Sequence, residues 1–585
     1  MEKTKYSWRP CFESKKELAA FKEDAVLLFA LMLKFGIEDV VGLASSSITE
    51  GSEDKKADLI HIDTESGYAI VAQTYVAKDW DKKEAPANKA SDLNTAISWL
   101  LNRPLEEIPE SIKTHADELR LAIADNKIKT LHIWYVHNLK ESKNVKKELV
   151  TVEHTARTAI TSNFPDIDSL EIQSLEVGCE TIENWYISLQ RPILVSDKFE
   201  IPIDGGYELV GPDWKSFATT IPLRWLYENF SKYKDAIFSA NIRGYLGSRI
   251  KDDNINYGIK QTGHDYPGHF WVFNNGITAL VHNFKASLDK SNKSLWIHGI
   301  SIVNGAQTTG AIGSLEKKPS SDAKVQVRFI VCNSPSTIQN IVKFNNSQNK
   351  ITAPDFRSSD PVQTRLVKEF EKLPDLEYLA RRGSSIDEKP KKHNTLASIT
   401  AGQALAAVHG QPGTAYHFKS HIWVENTLYV KYFNEHTTAR HLLFAYSLLQ
   451  GIENKKLELV GKSKIGNLKK TEEEQLKYFR LRGSIILFTS AIANCLETLL
   501  DRRIPNTFRM GFKTIKTLDK AVEAWQPIVE ISSSFCVHLK DGLSHGLKNN
   551  DDISKAVGVF RSLIESTKEA NKTTFKGFAS KVILL

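Results

Sequence analysis

Apolar side chains run almost all the way round a helical wheel over residues 21–35, FKEDAVLLFALMLKF, and Gly36 stands where such a helix would stop. A helix buried on every side is predicted there. Two strand-like runs follow, ADLIHID at 57–63 and YAIVAQTYV at 68–76, and the Thr64-Glu65-Ser66-Gly67 link between them predicts a hairpin. The pattern then alternates. NKASDLNTAISWLL and residues 111–126 have helical periodicity, TLHIWYVHN at 130–138 is a continuous apolar run suited to a buried strand, VKKELVTVEHTARTAITSNF predicts a helix, LEIQSLEV a strand and ETIENWYISLQ a helix. Residues 1–192 therefore predict an α/β domain built on a mixed sheet.

From 193 to 385 the texture changes to short strands and loops rich in Asn, Gln, Gly and Ser, a second module of α+β character. Within it FWVF at 270–273 reads as an aromatic strand running into Asn274-Asn275-Gly276. From 386 to 585 the segments LASITAGQALAAVHG, TARHLLFAYSLLQGI, QLKYFRLRGSIILFTSAIANCLETLL and ISKAVGVFRSLIESTKEA predict an α-helical domain. The Lys/Gly-rich stretch 455–470 is the expected exposed loop of that domain. Trp8, Trp80, Trp99, Trp134, Trp185 and Trp214 lie in or beside apolar segments and are expected as core anchors.

Composition narrows the class. A chain of 585 residues exceeds what one core supports, so two to four domains are expected, and 41% hydrophobic with 25% charged residues is ordinary for folded proteins. Neither a secretory leader nor a membrane-length apolar run is seen, and the five cysteines have no paired spacing, so a reducing cytoplasm is expected with no zinc site or disulfide framework. A net charge of +7 is compatible with a polyanionic partner, while the basic runs at Lys82-Lys83, Lys146-Lys147, Lys389 to Lys392 and Lys455 to Lys470 read first as solvated surface.

Alternation along the second hairpin strand puts Ala69, Val71, Gln73 and Tyr75 on one face, and the first strand offers Asp58 at its start. This layout resembles that of the restriction endonuclease-like, PD-(D/E)XK, nucleases, with two departures: Gln73 replaces the second acid, and Tyr75 stands where the lysine would be. The resemblance implies a Mg2+-dependent phosphodiesterase, with Asp58 and Gln73 as metal ligands and Lys89 and Glu23 completing a catalytic set of Asp58, Gln73, Lys89 and Glu23. The plainer alternative is that Asp58 caps a turn and that Gln73 and Tyr75 form a polar strand edge.

Four segments of the central module, SANIRGYLGSRIKDDNINYGIKQT, PGHFWVFNNGITAL, GISIVNGAQTTGAI and IVKFNNSQNKITAPDFRSSDPVQTRL, followed by YLARRG, resemble the abortive infection phage resistance (AIPR) family in order and wording. The resemblance implies an antiphage defence effector whose nuclease domain is controlled by this module; the alternative is a non-catalytic nucleic-acid or nucleotide-binding regulator. Amides that match base edges and guanidinium groups that match phosphate single out Asn274, Asn275, Asn304, Gln307, Thr308, Asn345, Asn346, Gln348, Arg357, Arg381 and Arg382 as candidate ligand-binding residues. Bracing of the loops by the same amides is the structural alternative. No GxxxxGK[ST] phosphate loop occurs. Nucleic acid, DNA ahead of RNA, is the expected partner, no membrane is expected, and a nucleotide and a second copy of the chain in a homodimer stay open.

Overall fold

Helix α1, Ala25–Phe35, is buried along nearly its whole length and closes on Gly36 at φ 65°, a left-handed position that glycine takes without strain. It begins at Ala25 because Lys22–Asp24 form a 3-10 turn at the solvent-facing entry. The computed structural model describes residues 6–49, 54–80, 82–167, 170–190, 193, 195–233, 237–238, 253–289, 292–315, 317–346, 357, 360–380, 392 and 394–584.

Helix α2, Val40–Ser47, leads into the predicted hairpin, β1 (Leu59–Asp63) and β2 (Tyr68–Tyr75). The helical stretch after it is two helices, α3 (Ala87–Ser91) and α4 (Leu93–Leu101), interrupted at Asp92. Then come α5 (Glu110–Ala124), β3 (Thr130–His137), α6 (Lys143–Asn163), β4 (Glu171–Val177) and α7 (Cys179–Gln190). The sheet order is β1-β2-β3-β4, with β1 antiparallel to β2 and the other pairs parallel, which is the mixed sheet expected. Alternation along the strands feeds two cores. Leu59, Ile70, Ala72 and Trp134 pack with α1 and α2, while Ile60, Val71 and Ile133 pack with α3 to α6. β3, flanked by strands on both edges, is buried at every position.

The central unit is a seven-stranded sheet. Its strands are β5 (Val195–Pro202), β6 (Gly206–Val210), β7 (Trp214–Pro222), β8 (Ile277–Leu280), β9 (Asn283–Asp289), β10 (Asn292–Asn304) and β11 (Lys324–Cys332), in the order β5-β10-β8-β11-β7-β6 with β9 also on β10. One face carries a large core with the helix Leu223–Tyr233 and α8 (Ala306–Gly313). The other carries a small patch, Leu280, Val303 and Ile330, under Ile338, Ile341 and Val342 of α9 (Pro335–Asn346). The expected strand FWVF is a helical turn, Phe270–Phe273: Phe270 is buried while Trp271, Val272 and Phe273 face solvent, a one-sided burial that alternation does not produce, and a 3-10 turn from Pro267 starts it.

The C-terminal unit is helical around one core running from Leu366 to Val582. The expected loop at 455–470 is only partly a loop, because helix α10 extends over Ala439–Lys464. Lys455 and Lys456 are buried in it; the Lys455 ammonium lies 2.8 Å from Glu530 and 3.3 Å from Glu458, so its stem packs as an apolar chain and its charge is met. This unit docks directly on the first. α10 packs against α2, the Thr400 hydroxyl donates to Asp39 at 3.2 Å, the Ser420 hydroxyl donates to Glu65 at 2.6 Å, Arg482 pairs with Glu118 at 3.0 Å and Lys464 with Asp24 at 3.5 Å.

Trp8 and Trp134 are fully buried and Trp185 nearly so, as core anchors should be, whereas Trp80, Trp99 and Trp214 are half-buried. Among the described residues no helix is long and apolar enough to cross a membrane.

Candidate functional site

The hairpin register ends with Leu59 paired to Ala72, and Asp58, the residue before β1, lies at that end beside Ala72 and Thr74, which flank Gln73. Asp58 accepts the Thr74 backbone N–H at 2.7 Å, and its own N–H donates to the Ala72 carbonyl. Burial lifts the Asp58 carboxyl to about 6, the Thr74 N–H opposes the rise, Asp24 and Asp54 add to it and Lys464 opposes it. Gln73 is 4% exposed, and its side-chain oxygen has no hydrogen-bond partner among the described residues. A buried oxygen without a donor costs about 1–3 kcal/mol, so this end of the hairpin holds an acceptor in need of a positive or donating group.

The remaining members of the sequence-derived set lie around this end in different ways. Glu23 is exposed, but its carbonyl accepts the Thr74 hydroxyl at 3.4 Å, which draws the 22–24 turn against β2. The neighbouring Asp24 is the acid that reaches Asp58 electrostatically; burial raises its own carboxyl above the ordinary range, against the pull of Lys464. Lys89, half-buried on α3, is not among the leading charges acting on Asp58. Tyr75 instead receives a hydrogen bond from the Lys82 ammonium at 3.1 Å, so one lysine of the Lys82-Lys83 run is held at the tip of β2. Among the described residues no group of three His, Cys, Asp or Glu side chains is disposed to hold a metal ion. That does not disfavour Mg2+, which binds through one or two carboxylates plus waters and substrate phosphate oxygens.

In the central unit the register aligns Asn304 of β10 with Thr278 of β8, and Thr278 with Arg328 of β11, a polar row across three strands. Arg328 donates to the Thr278 hydroxyl at 2.8 Å and to the Asn345 side-chain oxygen at 3.1 Å, while Asn304 donates to the Asn345 carbonyl at 3.0 Å. Asn345 closes the network by donating to Ile341. Directly after Asn304, Gly305 sits at φ +92°, and a Cβ there would come within 2.7 Å of Ile277; the glycine permits the sharp strand-to-helix turn that puts Gln307 in the first turn of α8.

Residues 238–456 match the family model described as AIPR protein. Over this stretch the chain is similar to the AIPR family. No curated protein and no solved structure matches the chain. The AIPR stretch contains the Asn304–Thr278–Arg328 row and runs on into α10, whereas the Asp58 hairpin lies outside it.

Other candidates within the AIPR stretch separate from the row. Asn274 donates to the Thr262 hydroxyl at 2.9 Å and to the Phe270 carbonyl at 3.2 Å, which braces its turn, and Asn275 is exposed. Thr308 is buried. Arg357 belongs to the helical unit: it donates to the Trp423 carbonyl and to Asn426, both at 3.2 Å, and its guanidinium lies 4.2 Å from the centre of the Tyr429 ring. The Asn346 side chain, Gln348, Arg381 and Arg382 lie outside the described residues. Sequence reasoning missed Arg328, Asp24 and Lys464. Alternation along KVQVRFIVC could have flagged Arg328, which shares the polar face of the strand with Lys324 and Gln326 while Val325, Val327 and Phe329 are buried, and Asp24 adjoins Glu23, but no local pattern announces Lys464.

Proposed function

We propose that this chain is an abortive-infection-type antiphage effector in which the N-terminal hairpin is a Mg2+-dependent phosphodiesterase site acting on nucleic acid and the AIPR region is a separate recognition surface. The match of residues 238–456 to the AIPR family model supports the defence role. Support for the site comes chiefly from Gln73, whose buried side-chain oxygen has no partner among the described residues and which lies between Ala72 and Thr74, the two β2 residues whose backbone bonds to Asp58. Two oxygens of this kind suit a hard cation. When bound, such an ion polarises a phosphoryl oxygen and lowers the pKa of a bound water. The chain's own part is to supply a second acid at Asp24, to orient Asp58 through the Thr74 N–H, and to keep Gln73 away from bulk water. In the AIPR region, Arg328 faces solvent with its hydrogen-bonded amino group fixed by Thr278 and Asn345, a geometry suited to meeting a phosphate of the ligand.

The test is incubation of the full chain with labelled DNA and RNA in Mg2+ or Mn2+, beside phage challenge of cells expressing it. Metal-dependent cutting and phage protection, both lost in Asp58→Ala, are expected. Unchanged substrates together with an Asp58→Ala chain that still protects cells would exclude cutting by this site.

A non-catalytic regulator is the second reading, favoured by Tyr75 in the lysine position and by the engagement of Asp58 with a backbone N–H. It predicts salt-sensitive binding of nucleic acid without turnover, weakened by Arg328→Ala and unaffected by Asp58→Ala.

A further inference from the structure

The hairpin site described above lacks a lysine on its own strand, yet a lysine reaches it from the C-terminal helical unit. Lys464 is the last residue of α10, and its ammonium lies 3.5 Å from Asp24. Asp24 is tied to the hairpin through its neighbour, since the Glu23 carbonyl accepts the Thr74 hydroxyl and the Thr74 N–H binds Asp58. Lys462, two residues back, is spent on Glu458 at 2.6 Å and Glu472 at 2.7 Å, whereas Lys464 is 44% exposed and, among the described residues, pairs with Asp24. α10, which carries Lys464, packs against α2.

We propose that Lys464, delivered by the C-terminal helical unit, is the cation of the hairpin site, positioned to meet a phosphate of bound nucleic acid, so that the site is complete only while the two units are docked. This rests on the hairpin reading of Asp58 and Gln73. It gives the long α10 a purpose beyond packing: one end lies in the AIPR stretch and the other carries the charge into the acid cluster. A change felt by the AIPR region that shifted α10 along or away from α2 would withdraw that charge.

The prediction has an electrostatic signature, because a lysine beside two carboxylates repels a metal ion and attracts a phosphate. Full-length wild type, Lys464→Ala, Lys464→Gln, Lys464→Arg and Asp58→Ala would be titrated with Mn2+ by calorimetry, and with a short fluorescein-labelled DNA in Ca2+ by anisotropy. Lys464→Ala and Lys464→Gln are expected to bind Mn2+ more tightly and DNA more weakly, each by about three- to tenfold, with Lys464→Arg restoring both. Opposite signs cannot come from loosened packing alone. Equal weakening of both ligands, or no change in either while Asp58→Ala loses Mn2+, would overturn the role of Lys464 and leave the hairpin site standing. Mn2+ binding that survives Asp58→Ala would remove the site itself, and the role of Lys464 with it.

Discussion

Single side chains carry much of the physical account. Lys392, from a basic run expected to be solvated, points its ammonium at the end of the helix Pro361–Glu371, donating to the carbonyls of Phe370 at 2.6 Å, Glu371 at 3.2 Å and Leu376 at 3.3 Å, and to that of Leu373. Charge-assisted bonds to otherwise orphaned carbonyls are stabilising, so Lys392→Ala is expected to lower stability by about 2 kcal/mol, read as a fall in the urea midpoint. The histidine pair in the helical core gives a second test. His441 Nδ1 lies 3.1 Å from the Met510 carbonyl and must donate to it, so its Nε2 accepts from His409 Nε2 at 3.0 Å, and His409 Nδ1 accepts the Thr507 hydroxyl. Burial lowers His441 to about 4, and burial with the neighbouring His441 lowers His409 to about 2. Both values fall below that of an unfolded histidine, near 6.5, so the unfolded chain binds protons first. The stability this pair contributes is complete above about pH 6.5 and drains away as pH falls toward 4. Thermal melts across that window should show the loss, and a His409→Gln/His441→Gln chain should show a flatter profile.

Elements were legible where the hydrophobic period was unambiguous. The all-round apolar helix with its terminal Gly36, the hairpin and the buried β3 follow the periodicity, because each is governed by local burial. FWVF misled because four aromatic and β-branched residues favour a strand by propensity, while the turn from Pro267 and the burial of Phe270 alone decide for a helix. The end of α10 misled because lysine and glycine look like loop composition, although Leu459 and Val460 are buried and Glu530, remote in sequence, neutralises Lys455. Of the candidate site, Asp58 and Gln73 were readable from alternation, whereas Asp24 and Lys464 meet only through tertiary packing. Gly461 lies inside α10 with open space where a Cβ would go. Gly461→Ala is therefore expected to stabilise the chain by about 0.5–1 kcal/mol, seen as a raised melting temperature, by stiffening the segment that presents Lys464.

At the scale of the whole molecule, the first and last units are joined by polar contacts spread along the seam, from Asp24–Lys464 to Glu118–Arg482. Half-buried Asp39 and buried Glu453 lie at this seam, and desolvation raises both carboxyls above the ordinary range, so docking holds acids that water would otherwise ionise more readily. Asp58 behaves alike. Its folded value near 6 exceeds that of an unfolded aspartate, so its contribution to stability is present below about pH 4 and is lost as pH rises through 6. At neutral pH the hairpin thus carries a buried charge that a divalent cation would offset, and the gain in melting temperature from Mn2+ should be large at pH 7.5, small at pH 5 and absent in Asp58→Asn. The most direct check is anomalous diffraction from crystals of the full chain soaked in Mn2+. A manganese peak bonded to Asp58 and Gln73 is the predicted result; a map with no peak at that hairpin, at a concentration that saturates binding in solution, would contradict it.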